Sequence, residues 1–167
     1  MLPLPRRTLV LALAVLAALL GAPAAASADD GLPGLPGLTV GTAVRTVDPA
    51  VQEYCWTYPD VVTEQGEIGS STCGNHSRRP APTLRHDGAL RLTFAGSGWR
   101  WSARYESTRP ASPACRETRR VRRLGEHDYR VRRPAYHGTY RVTLTGRGPE
   151  GRIVAAFVWR YGTGRCS

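Results

Sequence analysis

The chain has 167 residues, with 23 lysine-plus-arginine and 13 acidic side chains and a net charge of +10. All 23 are arginine; lysine is absent. That length is one domain's worth, enough to bury a real core and too little for several.

The first 28 residues read as a secretory signal peptide. Arg6 and Arg7 form a positive n-region, Leu9 to Leu20 is an apolar run, and Ala26-Ser27-Ala28 is a small-residue cleavage site. The run is short for a membrane span, which needs roughly 20 apolar residues. No Cys follows it for lipid attachment. Residues 29–38, "DDGLPGLPGL", read as a linker, because the Leu-Pro-Gly units cannot form a helix. Residues 39–167 are then the folded domain, secreted or held in the cell envelope. Cleavage after Ala28 leaves 21 arginines against 13 acids.

From Leu38 onward the pattern is β. Thr39 to Val47 is rich in β-branched residues, and Val51 to Tyr58 is an aromatic strand that Pro59 is expected to stop. Gly66 to Pro82 has the composition of a loop. His86-Asp87-Gly88 reads as a hairpin turn. Then alternation becomes strict. Leu90, Leu92 and Phe94 alternate with Arg91 and Thr93; Trp99, Trp101, Ala103 and Tyr105 with Arg100, Ser102 and Arg104; Tyr140, Val142 and Leu144 with Arg141 and Thr143. Ile153 to Trp159 is almost continuously apolar and reads as a central strand. No segment carries a helical period. Short strands of this kind, split by Gly and Pro turns, predict an all-β antiparallel sandwich.

Gly138, Tyr140 and Val142 fall at G-x-Y-x-V. This resembles the tyrosine corner of immunoglobulin-like domains, with Trp101 in the place of their buried strand-C Trp. Tyr136 and Val142 stand where those domains have Asp and Cys. The likeness therefore implies the immunoglobulin-like sandwich without its inter-sheet disulfide. The chain also resembles small exported actinobacterial proteins through Tyr54-Cys55-Trp56, Cys73, Gly138 to Val142, Gly146-Arg147-Gly148 and Phe157 to Trp159. That resemblance covers about residues 50–160 and implies fold and export, with no activity attached. The Ala, Gly, Pro and Arg excess matches a GC-rich genome, so part of the arginine reflects codon usage.

Four cysteines, Cys55, Cys73, Cys115 and Cys166, imply two disulfides in an exported protein. Three pairings are open. Locality favours Cys55–Cys73, and a pinned C-terminus favours Cys115–Cys166.

Residues for chemistry are scarce. His76, His86, His127 and His137 are not at metal-ligand spacings. Glu126-His127-Asp128 adjoin in sequence, yet neighbours on a strand face opposite ways. No nucleophile elbow or phosphate loop is present. The expectation is a non-enzymatic module with no catalytic residue, metal or cofactor.

One segment stands apart, "CRETRRVRRL", with Arg116, Arg119, Arg120, Arg122 and Arg123. Arg130, Arg132 and Arg133 follow after Gly125. A hairpin about Gly125 would put all eight on one ribbon. Arginine on both faces marks a wet edge strand that resists sheet-to-sheet aggregation. The same charge attracts anionic envelope polymers, lipid headgroups or another exported protein. Interleaved aromatics for stacking nucleobases are missing, so sequence-specific nucleic-acid binding is not expected. The alternative is a secreted protease inhibitor that displays an arginine on the Pro-rich loop beside Cys115.

Overall fold

The computed structural model describes residues 35–64, 66–75, 79–109 and 113–166. The expected signal peptide, residues 29–34 of the expected linker and residues 110–112 of the Pro-rich loop lie outside them. Twelve strands are present among the described residues, with one 3-10 turn at Pro113–Cys115 and no α-helix. They are β1 (Leu38–Gly41), β2 (Thr46–Val47), β3 (Ala50–Thr63), β4 (Gly66–Asn75), β5 (Thr83–Arg85), β6 (Leu90–Phe94), β7 (Arg100–Ser107), β8 (Arg116–Arg120), β9 (Arg122–Arg123), β10 (Asp128–Val131), β11 (Gly138–Gly148) and β12 (Gly151–Tyr161).

One sheet has the order β2-β1-β6-β10-β9, the other β4-β3-β12-β11-β7-β8. Strand β5 lies parallel to β12; the other pairs are antiparallel. Two antiparallel sheets facing each other make the sandwich that the alternation predicts. The orders β1-β6-β10-β9 and β12-β11-β7-β8 correspond to A-B-E-D and G-F-C-C′ of an immunoglobulin-type sandwich. The β3–β4 hairpin is inserted before the second of these strands.

The apolar face of each strand builds the core. Leu90, Leu92 and Phe94 of β6 and Tyr129 and Val131 of β10 meet Trp101, Ala103 and Tyr105 of β7 and Tyr140, Val142 and Leu144 of β11. Strand β12 is buried on both faces from Ile153 to Phe157, flanked by β11 and β3, as a continuous apolar run requires. Two hydroxyls tie the sheets at their polar ends. Tyr105 donates to the Arg132 carbonyl at 2.6 Å, and Tyr129 to the Trp99 carbonyl at 3.2 Å.

The tyrosine corner is present. Tyr140 donates its hydroxyl to the Tyr136 carbonyl at 2.8 Å, closing the turn that feeds β11. Burial, the largest influence, pushes this hydroxyl's pKa up. Tyr140→Phe is expected to cost about 1–2 kcal/mol, because the ring is kept while a carbonyl loses its donor. Urea denaturation reads that loss; an unchanged midpoint would show the corner to be decorative.

Thr39 to Val47 is β as expected, a hairpin of β1 and β2 turned at Thr42, whose hydroxyl accepts from the Val44 and Arg45 N–H groups. Four expectations are corrected. Pro59 does not end β3; the ladder with β4 shifts register between Tyr58 and Val61 instead. A residue without N–H can sit in a bulge on a pair of strands. Gly66 to Asn75 is a strand rather than a loop: β3 supplies its backbone partners, and Cys55 lies directly opposite Cys73. Asp87-Gly88 is not a hairpin turn. It carries the chain from β5 in one sheet to β6 in the other, held by the Gly162 N–H donating to Asp87 (2.8 Å) and by Trp159 Nε1 donating to the His86 carbonyl (2.8 Å). The fourth concerns the arginine ribbon.

Both disulfides are as favoured, Cys55–Cys73 and Cys115–Cys166, and no cysteine is free. Strand β1 begins at Leu38, inside the expected linker, and Leu35 packs on the core.

Candidate functional site: an arginine groove at the open edge

The eight arginines do not share one ribbon. Strand β8 ends one sheet and β9 ends the other, so the segment steps across the open side of the sandwich. The step is at Val121. Its side chain is buried, 6% exposed, and its N–H donates to the Trp101 carbonyl at 2.9 Å. One apolar residue between two Arg-Arg pairs is enough to redirect the strand, because only Val121 gains by entering the gap between the sheets. Both strands are sheet edges, as arginine on both faces requires.

The step leaves a groove of about 1160 Å³. Arg119, Arg120, Arg122, Arg123 and Arg132 line it, together with Arg100 from β7. Gly98, Trp99, Trp101, Val121 and Tyr129 complete the wall; no carboxylate is among these residues. A concave, cation-lined surface with an apolar base focuses positive potential into its opening.

The arginines differ in their commitments. Arg119 donates to Glu117 at 2.7 Å and to the Arg133 carbonyl at 3.3 Å. Arg123 Nε donates to the Gly125 carbonyl at 2.8 Å, which stiffens the β9–β10 turn. Arg100, Arg120, Arg122 and Arg132 have no carboxylate partner among the described residues. Burial, the largest influence, pushes the Tyr129 pKa up, opposed by nearby Arg123. Trp101 is 2% exposed, and its Nε1–H meets no acceptor in hydrogen-bond geometry.

Three expected members sit elsewhere. Arg116 pairs with Glu106 at 3.3 Å, fixed within β8 rather than displayed on a loop. Arg130 lies opposite Arg91 and Arg122 in the other sheet. Arg133 is exposed and does not line the groove. Sequence reading passed over Arg100 and Trp101, which lie on β7. Alternation showed Arg100 pointing outward, yet only the β7–β8 register (Ser102 opposite Arg120) brings it to the arginine segment.

Glu126 and His127 lie in the β9–β10 turn and Asp128 opens β10. Asp128 accepts from Arg91 at 2.7 and 2.6 Å and from Thr93 at 3.1 Å, so its carboxylate is tied to β6. The Arg91 hydrogen bond, above all, holds the Asp128 carboxyl below its ordinary pKa. Among the described residues no three His, Cys, Asp or Glu converge as a metal site, and no helix is long and apolar enough to cross a membrane.

What these features define is a disulfide-bridged β-sandwich with a cationic groove at its open edge. No family model matches the chain, and no curated protein or solved structure is significantly similar to it.

Proposed function

We propose that the protein is an exported, non-enzymatic binding module of the envelope or extracellular space that engages anionic groups through the arginine groove. The observation that carries this reading is the convergence of six arginines from β7, β8, β9 and the segment after β10 on a hollow with no carboxylate in its wall. Guanidinium forks pair with phosphate, sulfate or carboxylate oxygens through charge-assisted hydrogen bonds. Two disulfides with no free cysteine fit an oxidising, extracellular setting. The leader at residues 1–28 and the likeness to small exported actinobacterial proteins support export.

Immobilised heparin tests the reading. The protein is expected to bind at low salt and elute at moderate salt. The Arg119→Ser, Arg120→Ser, Arg122→Ser, Arg123→Ser variant elutes at clearly lower salt than a control of equal charge loss at Arg45, Arg85, Arg160 and Arg165. Coincident elution of the two variants means that net charge, and not the groove, does the binding.

A further inference from the structure

We propose that the groove is one end of a trough that binds a linear phosphate polymer lengthwise, through its phosphates alone. This rests on the anion-binding reading above and names its ligand class.

The first argument is extent. A second hollow of about 410 Å³ shares Arg100, Trp101, Arg119 and Arg120 with the groove and adds Arg147 of β11. Arg120, Arg100 and Arg147 therefore follow one another over β8, β7 and β11 of one sheet, with Arg122 of β9 on the shared groove, all without a carboxylate partner among the described residues. Neighbouring strands are about 4.8 Å apart, so β8 to β11 alone covers about 10 Å. A single phosphate meets one or two of these cations; a chain meets them all.

The second argument is uncompensated repulsion. Arg100 lies directly opposite Arg147. Like charges in such register destabilise a sheet. A polyanion bound along the trough removes that repulsion.

The third argument concerns what the walls lack. Trp99, Trp101 and Tyr129 are at most 2% exposed. No ring face is open to stack a base or a sugar, so the ligand is read through its charged groups. Ser102, Thr118 and Thr145 add hydroxyls between the arginines of the second hollow. The tetrahedral oxygens of a chain phosphate point in several directions, so one unit can meet an Arg fork on one side and these hydroxyls on another. A concave trough also suits a chain better than the flat face of a bilayer.

Titration of the full chain with orthophosphate, tripolyphosphate and long-chain polyphosphate at fixed salt tests this. Affinity is expected to climb with chain length and then level off. The Arg147→Ser variant is expected to lose about tenfold in affinity for the long chain while tripolyphosphate binding and the melting temperature stay near wild type. Length-independent binding, or a long chain indifferent to that variant, overturns the trough and leaves the anion-binding groove standing. Tighter binding of heparin oligosaccharides, single-stranded oligonucleotide or anionic phospholipid vesicles than of polyphosphate overturns the phosphate-polymer assignment. Failure to bind any of these polyanions sinks both readings.

Discussion

The Cys115→Ala, Cys166→Ala variant is expected to lose about 4 kcal/mol of stability, against about 3 kcal/mol for Cys55→Ala, Cys73→Ala, by the loop-closure relation. The sequence separations are 51 and 18 residues, so the longer loop restricts the unfolded chain more. The environments reinforce the order. Cys115 and Cys166 are buried in the core, whereas Cys55 and Cys73 are exposed on a ladder whose backbone hydrogen bonds survive without them. The Cys115 bridge also holds the 3-10 turn from which β8 starts, with Arg116 as the next residue. Its loss therefore loosens the edge that carries Arg119 and Arg120, and polyanion affinity should fall with it. Paired urea titrations under non-reducing conditions check the ranking. A larger loss for the Cys55–Cys73 variant would show that the inserted hairpin, and not the C-terminal tie, governs stability.

Trp99→Ala is expected to cost about 3–5 kcal/mol, in the range of large aromatic truncations in a packed core. Trp99 is 1% exposed and stacks between Trp56 at 5.4 Å and Trp101 at 5.7 Å, with Phe94 edge-on at 4.8 Å. Its Nε1 donates to Glu150 at 2.7 Å. The surrounding chain is fitted to the ring: a Cβ at Gly148 would fall 2.3 Å from the indole, and one at Gly96 2.8 Å from it. Backbone this close cannot collapse into the space the ring leaves, so the cavity persists. Trp99→Phe, which keeps a ring and loses the Glu150 bond, should cost markedly less. Denaturant titration with near-ultraviolet circular dichroism reads both. Equal costs for the two variants would place the stabilisation in the Glu150 hydrogen bond instead. Because Trp99 and Trp101 wall the groove, Trp99→Ala should weaken polyanion binding even where the protein remains folded.

Alternation made several elements legible in advance. In β6, β7 and β11 each second residue enters the core, and an edge partner cannot change which face that is. The tyrosine corner was equally legible, since a hydroxyl four residues from its acceptor is a local matter. The Cys115–Cys166 pairing was favoured among three open pairings, and the structure makes it. Elsewhere local signals misled. Gly, Ser and Thr in β4 and Pro59 in β3 argued against strand structure, but pairing between the two strands and the cross-strand disulfide outweighed weak propensities.

Composition and period-2 patterning by themselves determined the class of fold, the inward faces, the exposed edge and the charge of the arginine segment, because each depends on residues close in the chain. Tertiary structure alone decided the groove. Val121 found its free energy minimum between the sheets, β8 and β9 were thereby sent to opposite edges, and cross-strand register brought Arg100 and Arg147 to arginines distant in sequence. Register and the choice of sheet depend on packing against non-local partners, which no local pattern encodes.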